Sequence, residues 1–345
     1  LRGFGVKEGL RDSQYTWITR QFSQSAWQGC TLWDLLCPAF LFLVGVAMPY
    51  SYANRQGQGQ GWLRQFFHAL FRAAILIALG IYLDSYLARP TPQLIVDLRG
   101  DLQQIGLAYL IAFLVLPLGT SVHGVSAAFL LIAHMAAHVI YASGAGYELW
   151  SRDQNVGTAI DQWLRFGPRE HLVTFNVLAN SAIVLFGVLI SGLIRSALTP
   201  GVKVAIMTGC SLAAILLGWT LSGGGGVTGE WFAIVPMIRP VVTGTFVLTS
   251  VGWTLLIFTY FYLPIDGFGV RAWAVPLVVV GRNSLIVYLT YQLCRGWAET
   301  SVKLFLPASQ HAMATWYYPL TSVFVVALYW FFCWWLYRRQ IFFKV

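Results

Sequence analysis

The feature that most constrains this chain is an apolar run from Leu32 to about Tyr52, with no charged side chain between Leu35 and Ala47. About 20 apolar residues in an α-helix cover the roughly 30 Å hydrocarbon core of a bilayer. Because that core offers the backbone no water to bond, an isolated apolar segment of this length crosses it as a helix. We therefore predict that the chain is organised around a membrane-spanning helix.

Eight more apolar stretches of similar length follow, and together they predict an all-α, polytopic membrane helix bundle of about nine transmembrane helices. They lie near 62–86, 102–118, 125–141, 173–195, 203–221, 241–263, 273–295 and 316–337. The chain is 57% hydrophobic and 10% charged, against about 25% charged in soluble proteins. Its formal charge of +9 falls in loops and tails beside the apolar stretches. We therefore expect membrane lipid as a partner and no nucleic acid.

The polar start of the chain predicts an extracytoplasmic N-terminal segment, 1–31, ahead of one transmembrane domain, 32–345, with a long outer loop at 143–172. The basic tail that contains Arg338 and Arg339 favours a cytoplasmic C-terminus, because basic residues concentrate on the cytoplasmic side. With nine spans, the start of the first helix then lies outside. The oligomeric state stays open, with a homodimer among the options.

Asp34 lies at the start of the first helix, three residues after Thr31. That spacing fits a capping box, in which the Thr hydroxyl and the carboxylate satisfy free backbone N–H groups. A carboxylate at the membrane edge also favours a role in orienting a catalytic or substrate group. The two roles are compatible, and both stay open.

Basic side chains recur on two of the spans. Arg64, His68 and Arg72 share one face of the second helix. They are either snorkelling residues or an acyl-CoA phosphate site, since guanidinium groups make bidentate phosphate contacts. His134 and His138 in the fourth helix have metal-binding spacing but no third ligand nearby, so we expect a packed pair and no metal.

Several amides and one arginine also lie in or near the spans. Gln104 and Asn180 are expected to bridge helices or to contact substrate. Arg282 and Asn283 lie near the middle of the eighth stretch, where a charge costs at least about 2.5 kcal/mol unless it is paired. We therefore expect Arg282 to face the bundle interior, with Asp34 as a candidate partner, in a structural ion pair or in contact with an anionic ligand.

Five short motifs occur in collinear order over most of the chain. They are Trp27-Gln-Gly29 with Thr31, Asp34 and Pro38; Leu102–Gly106; Asn180-Ser181 with Gly187; Gly281–Tyr288; and Leu336–Val345. This series resembles the transmembrane N-acetyltransferases typified by heparan-α-glucosaminide N-acetyltransferase, together with their bacterial relatives. The resemblance implies a protein of the bacterial inner membrane that moves an acetyl group from cytoplasmic acetyl-CoA to an extracytoplasmic amino sugar or glycan. It also implies one more helix before residue 1.

The resemblance further implies roles for individual residues. Asp34 and Gln24 would organise the outer reaction site, and Arg64 and Arg72 would bind the CoA phosphates. The implied substrate-binding residues are Trp27, Gln104, Asn180 and Asn283, and Arg282 is a further candidate from its position in the span alone, because the family has an apolar residue there.

The departure with the larger consequence is at Gln24. A His stands three residues before the motif's Trp in the family, whereas this chain has Gln24. An amide does not titrate near neutral pH and cannot act as a general base. His171 in the long loop is the candidate replacement. Two other classes stay open: an inactive member that acts as a binding or scaffold protein, and a transporter of small solutes or lipid-linked sugars, which also needs polar groups in mid-membrane.

Overall fold

The computed structural model describes residues 20–88, 93–167, 172–224, 234–305 and 314–342. Within these ranges the chain folds into α-helices joined by short turns and forms no β-strand beyond a single antiparallel bridge between Gln28 and Ile238. The predicted all-α membrane helix bundle is confirmed.

The described helices follow one another in a simple order. They are α1 (Leu36–Gly57), α2 (Trp62–Tyr86), α3 (Asp101–Val115), α4 (Thr120–Ala145), α5 (Val156–Trp163), α6 (Val177–Arg195), α7 (Pro200–Leu221), α8 (Gly244–Tyr262), α9 (Val275–Gly281), α10 (Ser284–Phe305) and α11 (Ala314–Arg338). A 3₁₀ turn at Trp33–Leu35 leads into α1, and another at Thr174–Asn176 leads into α6.

Eight helical segments of the described chain are long and apolar enough to cross a bilayer, and the bent pair α9–α10 brings the number to nine when it is counted as one span. Short α5 lies in the loop between α4 and α6. The predicted count therefore agrees with the structure when the bent pair is one span.

The predicted eighth span, 273–295, falls on a bent pair of helices. The axes of α9 and α10 differ by 61° at the break formed by Arg282 and Asn283. Asn283 has a low helix propensity, and its side-chain N–H donates to the carbonyl of Ile341 at 3.1 Å. The expectation that Arg282 faces the bundle interior is also wrong, because its side chain is exposed and lies 5.2 Å from the centre of the Phe342 ring.

The described chain forms two compact units. Residues 25–267, with α1 to α8, make the large unit, and the residues from 268 onward, with α9 to α11, group with 20–24 as the small unit. The boundary after Gly267 falls inside the segment that the sequence presents as one transmembrane domain.

The core of the large unit is the crossing of α1 and α6. The backbones touch where Gly45 faces Gly187, since a Cβ added to Gly187 would collide with the carbonyl oxygen of Phe42 and lie 2.9 Å from the backbone nitrogen of Val46. Small residues permit such close approach between membrane helices. The α6 residues just before this crossing, including Ile183, are fully buried.

Substitution of Gly187 tests this crossing. We expect Gly187→Ala to lower the thermal unfolding midpoint, because overpacking costs about 1–3 kcal/mol. Gly209→Ala on α7 is the matched control, since an added Cβ there has no neighbour within 4 Å and Ala favours helix by about 1 kcal/mol. Equal midpoints for the two variants in detergent would contradict the close backbone contact.

Candidate functional site

A group of buried polar side chains lies at one end of the large unit, where α1, α3, α6 and α8 begin and α2 ends. We call this region the polar end. Its buried members include Asp34, Asp97, Arg99, Gln103, Gln104, Asp161, Asn176 and Asn180. Buried polar groups require hydrogen-bond partners, and the partners observed here connect these helix ends to one another.

Asp34 is fully buried, with 0% exposure, and among the described residues one carboxylate oxygen takes all of its hydrogen bonds while the other makes only an ion pair. Its Oδ2 accepts from the backbone N–H of Ser25 at 3.1 Å and from the N–H and hydroxyl of Thr31 at 3.0 Å each. The capping box is therefore half formed: the carboxylate caps the Thr31 N–H, but the Thr31 hydroxyl donates to the carboxylate rather than accepting from a helix N–H.

The other carboxylate oxygen of Asp34 faces Arg239, whose Nε lies 3.5 Å from Oδ1. The Arg239 side chain is 16% exposed, whereas that of Asp34 is fully buried, so access to the ion pair is from the Arg239 side. The backbone around Arg239 is fixed because Thr243 Oγ1 accepts from the N–H of Ile238 at 3.0 Å and donates to the carbonyl of Pro236 at 2.9 Å. Asp34 thus pairs with Arg239, not with Arg282 as the sequence suggested.

The segment before Asp34 packs on the long loop. Trp27 is half-buried, and the guanidinium of Arg152 lies 5.0 Å from the centre of its ring. Gln24 is exposed. Burial, with a smaller contribution from the charge of Asp34, raises the pKa of the Cys30 thiol to about 12. Because the thiolate is the nucleophilic form, Cys30 is an inert thiol at neutral pH.

The amides of Gln104 and Asn180 bridge helices. Gln104 donates to the carbonyls of Leu98 at 2.9 Å and Thr174 at 3.2 Å. Asn180 donates to the Gln104 side-chain oxygen at 2.9 Å. Gln104 therefore uses both the N–H and the oxygen of its side-chain amide to connect α3 and α6. This is the structural role that the sequence left open.

A buried charge network, missed by the sequence analysis, lies beside these amides. Arg99 binds both carboxylate oxygens of Asp97 through Nε at 2.9 Å and donates to the carbonyl of Gly167 at 2.6 Å. Its Nη1 lies 3.9 Å from Asp161. Asp161 also accepts from the backbone N–H of Thr174 at 3.2 Å. The network attaches the long loop to the starts of α3 and α6.

The two α2 arginines lie away from the polar end. Arg64 is exposed, whereas half-buried Arg72 places its guanidinium 4.9 Å from the centre of the Tyr109 ring. Arg72 Nε is buried and has no hydrogen-bond partner among the described residues. At 1.5 Å per helical residue, Arg72 is about 12 Å along α2 from Arg64 and about 18 Å from Asp84 at the polar end.

The remaining candidates lie elsewhere. Arg282 and Asn283 are in the small unit, and His171 lies outside the described residues. In the described ranges no group of three or more His, Cys, Asp or Glu side chains is arranged to hold a metal ion.

Comparisons with models of known protein families and with curated proteins find no match for this chain. The arrangement of its own residues therefore carries the functional argument.

The Asp34–Arg239 pair is testable by a double-mutant cycle. We expect Asp34→Asn and Arg239→Gln each to lower the free energy of unfolding by about 3 kcal/mol, because each leaves a buried charge unpaired. The double variant should lose less free energy of unfolding than the two single variants lose together. The control is Glu299→Gln, which breaks the Arg295–Glu299 pair at 3.0 Å, with side chains 25% and 29% exposed. Its expected effect is below about 0.5 kcal/mol. Additive losses would show that the two groups do not interact.

Asp161 should give the protein a pH-dependent stability. Burial raises the pKa of its carboxyl above the ordinary 3.8, although bonds from Thr174 and the charge of Arg99 oppose the rise. The raised pKa contributes stability that is present below 3.8 and is lost as the pH rises through the folded value. The Asn side chain stays neutral, so the unfolding midpoint of Asp161→Asn should rise relative to that of wild type as the pH increases from about 4 to 7. Exposed Asp153→Asn is the control, and parallel profiles for wild type and Asp161→Asn would refute the effect.

Proposed function

We propose that this protein is a membrane-bound acyltransferase that moves an acetyl group from cytoplasmic acetyl-CoA to an extracytoplasmic amino sugar or glycan. The observation that carries the proposal is the buried Asp34–Arg239 pair at the polar end, next to the segment of Trp27. The family resemblance assigns the acceptor site to this same segment. In this proposal the polar end receives the acceptor.

Acyl transfer builds negative charge on the thioester oxygen, and preorganised donors lower its barrier. Arg239 has the properties of such a donor, because Asp34 orients its guanidinium and 16% of its side chain is exposed. Asp34 itself is occupied by three donors on Oδ2. It therefore acts as a positioning residue, and the proton of the amine goes to another group.

Arg72 supports a binding site for acetyl-CoA on the other side. A guanidinium inside a membrane span is costly unless it is paired, and here it has an aromatic neighbour and an unpartnered Nε. Phosphate oxygens are suitable partners for such a group. With Arg64 nearer the start of α2, the two arginines would contact the phosphates of CoA from the membrane edge inward.

The basic C-terminal tail favours a cytoplasmic C-terminus in this proposal. The helix ends of the large unit opposite the polar end carry Arg55, Arg64, Arg195 and Lys203, whereas the polar end and its loop carry Arg99, Arg152, Arg165 and Arg239 together with most of the unit's acids. The number of basic residues therefore does not distinguish the two ends. With nine spans and the C-terminus inside, the polar end faces outward, as expected for a protein of the bacterial inner membrane.

The decisive experiment measures labelled acetyl transfer from acetyl-CoA to glucosamine by the protein in proteoliposomes. We expect turnover by wild type, and Arg72→Gln should raise KM for acetyl-CoA about tenfold, equivalent to one charge-assisted bond. Arg195→Gln is the matched control, because exposed Arg195 also lies over a ring, that of Tyr50, at 5.7 Å.

Other outcomes identify the other classes. Transfer that appears only in Gln24→His would indicate a scaffold without its catalyst and would contradict the proposed activity. Uptake of free sugar without acetylation would indicate a transporter. If neither wild type nor Gln24→His transfers an acetyl group or binds acetyl-CoA, the acyltransferase proposal is overturned.

A further inference from the structure

A pair of histidines and one asparagine form a buried cluster with unfilled hydrogen-bonding capacity. We call His134, His138 and Asn176 the histidine site. Their exposures are 0%, 3% and 3%. His134 Nδ1 and Nε2, His138 Nε2 and Asn176 Oδ1 have no hydrogen-bond partner among the described residues. Native proteins rarely leave several buried polar atoms unpaired, so something else supplies these bonds.

Aromatic contacts bring the members of the site together. The His134 and His138 rings are 4.7 Å apart, and the Phe175 ring lies 5.3 Å from His134 and 5.8 Å from His138. Asn176 follows Phe175 directly, and its amide lies beside the His134 ring. On the other side the ring of Trp150 stacks on His138 at 5.7 Å. The rings therefore form a stack from Trp150 to Phe175.

The hydrogen bonds within the site determine which donors and acceptors remain for a ligand. His138 Nδ1 lies 3.0 Å from the carbonyl oxygen of His134, and a carbonyl only accepts, so Nδ1 carries the proton and Nε2 has the free lone pair. Asn176 Nδ2 donates to the carbonyl of Pro240 at 2.7 Å, which leaves its oxygen as an acceptor. Neutral His134 adds one acceptor and one donor. The site thus contains three acceptors and one donor, and because the His134 N–H and the Asn176 oxygen are within hydrogen-bonding reach of each other, two ring nitrogens remain as acceptors for a ligand.

We propose that the histidine site binds the primary amino group of the acceptor. An uncharged amine has two N–H donors, so it donates to the two remaining ring nitrogens and keeps its lone pair free for the attack on the thioester. A hydroxyl has a single donor and satisfies fewer of these groups. An N-acetylated amine has one N–H and no basic lone pair, and it therefore binds less well.

The place of the site in the fold connects it with Asp34. Asn176 binds Pro240, and Pro240 follows Arg239, which is the ion-pair partner of Asp34. A short run of contacts therefore leads from the histidines to the guanidinium assigned to the thioester oxygen. This inference rests on the proposed acyl transfer for its choice of ligand, but the site's donor and acceptor count stands independently.

Equilibrium binding without acetyl-CoA tests the proposal. The probes are glucosamine, glucose and N-acetylglucosamine, titrated calorimetrically into the protein in nanodiscs. We expect glucosamine to bind at least about tenfold more tightly than the other two sugars. His134→Phe and His138→Phe keep the ring stack but remove the ring nitrogens, and each should weaken glucosamine binding about tenfold. His123→Phe is the control, because His123 lies about 16 Å along α4 from His134 and its ring bonds the carbonyl of Leu116 at 3.0 Å. Its affinity for glucosamine should stay within about twofold of wild type.

A folding check accompanies the binding data. His134→Phe removes two unpartnered nitrogens, so its unfolding midpoint without ligand should equal or exceed that of wild type. If this variant fails to fold, His138→Phe carries the test. Equal glucosamine affinity in the site variants and in His123→Phe would overturn the proposal, as would the absence of glucosamine binding to wild type. Stabilisation by Zn²⁺ that chelation reverses, without amine binding, would show a metal site instead.

Transfer assays separate this inference from the proposed function. Unchanged transfer by His134→Phe and His138→Phe would refute the histidine site and leave the acyltransferase proposal standing. A second outcome is that wild type binds amines selectively but transfers no acetyl group, and that the site variants lose this binding. That outcome would support the site and refute the activity.

Discussion

The backbone contact between α1 and α6 at Gly45 and Gly187 determines much of the large unit. Asp34 precedes Gly45 by eleven residues, and Asn176 precedes Gly187 by the same number. Both helices start from the polar end, so equal spacing places these side chains at a similar depth, about 16 Å along each axis from the crossing. The two glycines thus control the level at which the carboxylate and the amide meet the segment around Arg239. Loss of this contact would disturb the site as well as the fold.

The sequence predicts the parts of this protein that depend on local pattern. Lengths of apolar runs gave the spans, and the Thr31 to Asp34 spacing gave half of the observed cap. Partner choice is different, since Asp34 binds an arginine 205 residues away in a segment with no periodic signal. Arg282 was paired with Asp34 because it lies near the middle of an apolar stretch, whereas the break at Arg282 and Asn283 places it at the end of a helix.

The histidines show a further limit of pattern analysis. From the sequence, His134 and His138 presented two alternatives, a metal site or a packed pair. The structure supports packing against aromatic rings but leaves three ring nitrogens without partners in the described chain. An i, i+4 spacing cannot reveal unsatisfied hydrogen bonds, because these depend on Asn176 and Pro240 from other parts of the fold. A polar ligand is a third alternative that only the three-dimensional arrangement suggests.

The distance between Arg72 and the polar end affects how an acyl group would cross the membrane. Arg72 lies about 18 Å along α2 from the polar end, so a phosphate group bound there is distant from Arg239. A covalent relay would need a nucleophile at the polar end, and the Cys30 thiol is unsuited because burial raises its pKa to about 12. Gln24 cannot carry an acyl group as an imidazole can. These residues favour direct transfer, in which the thioester arm of CoA extends into the large unit and the amine attacks from the polar end.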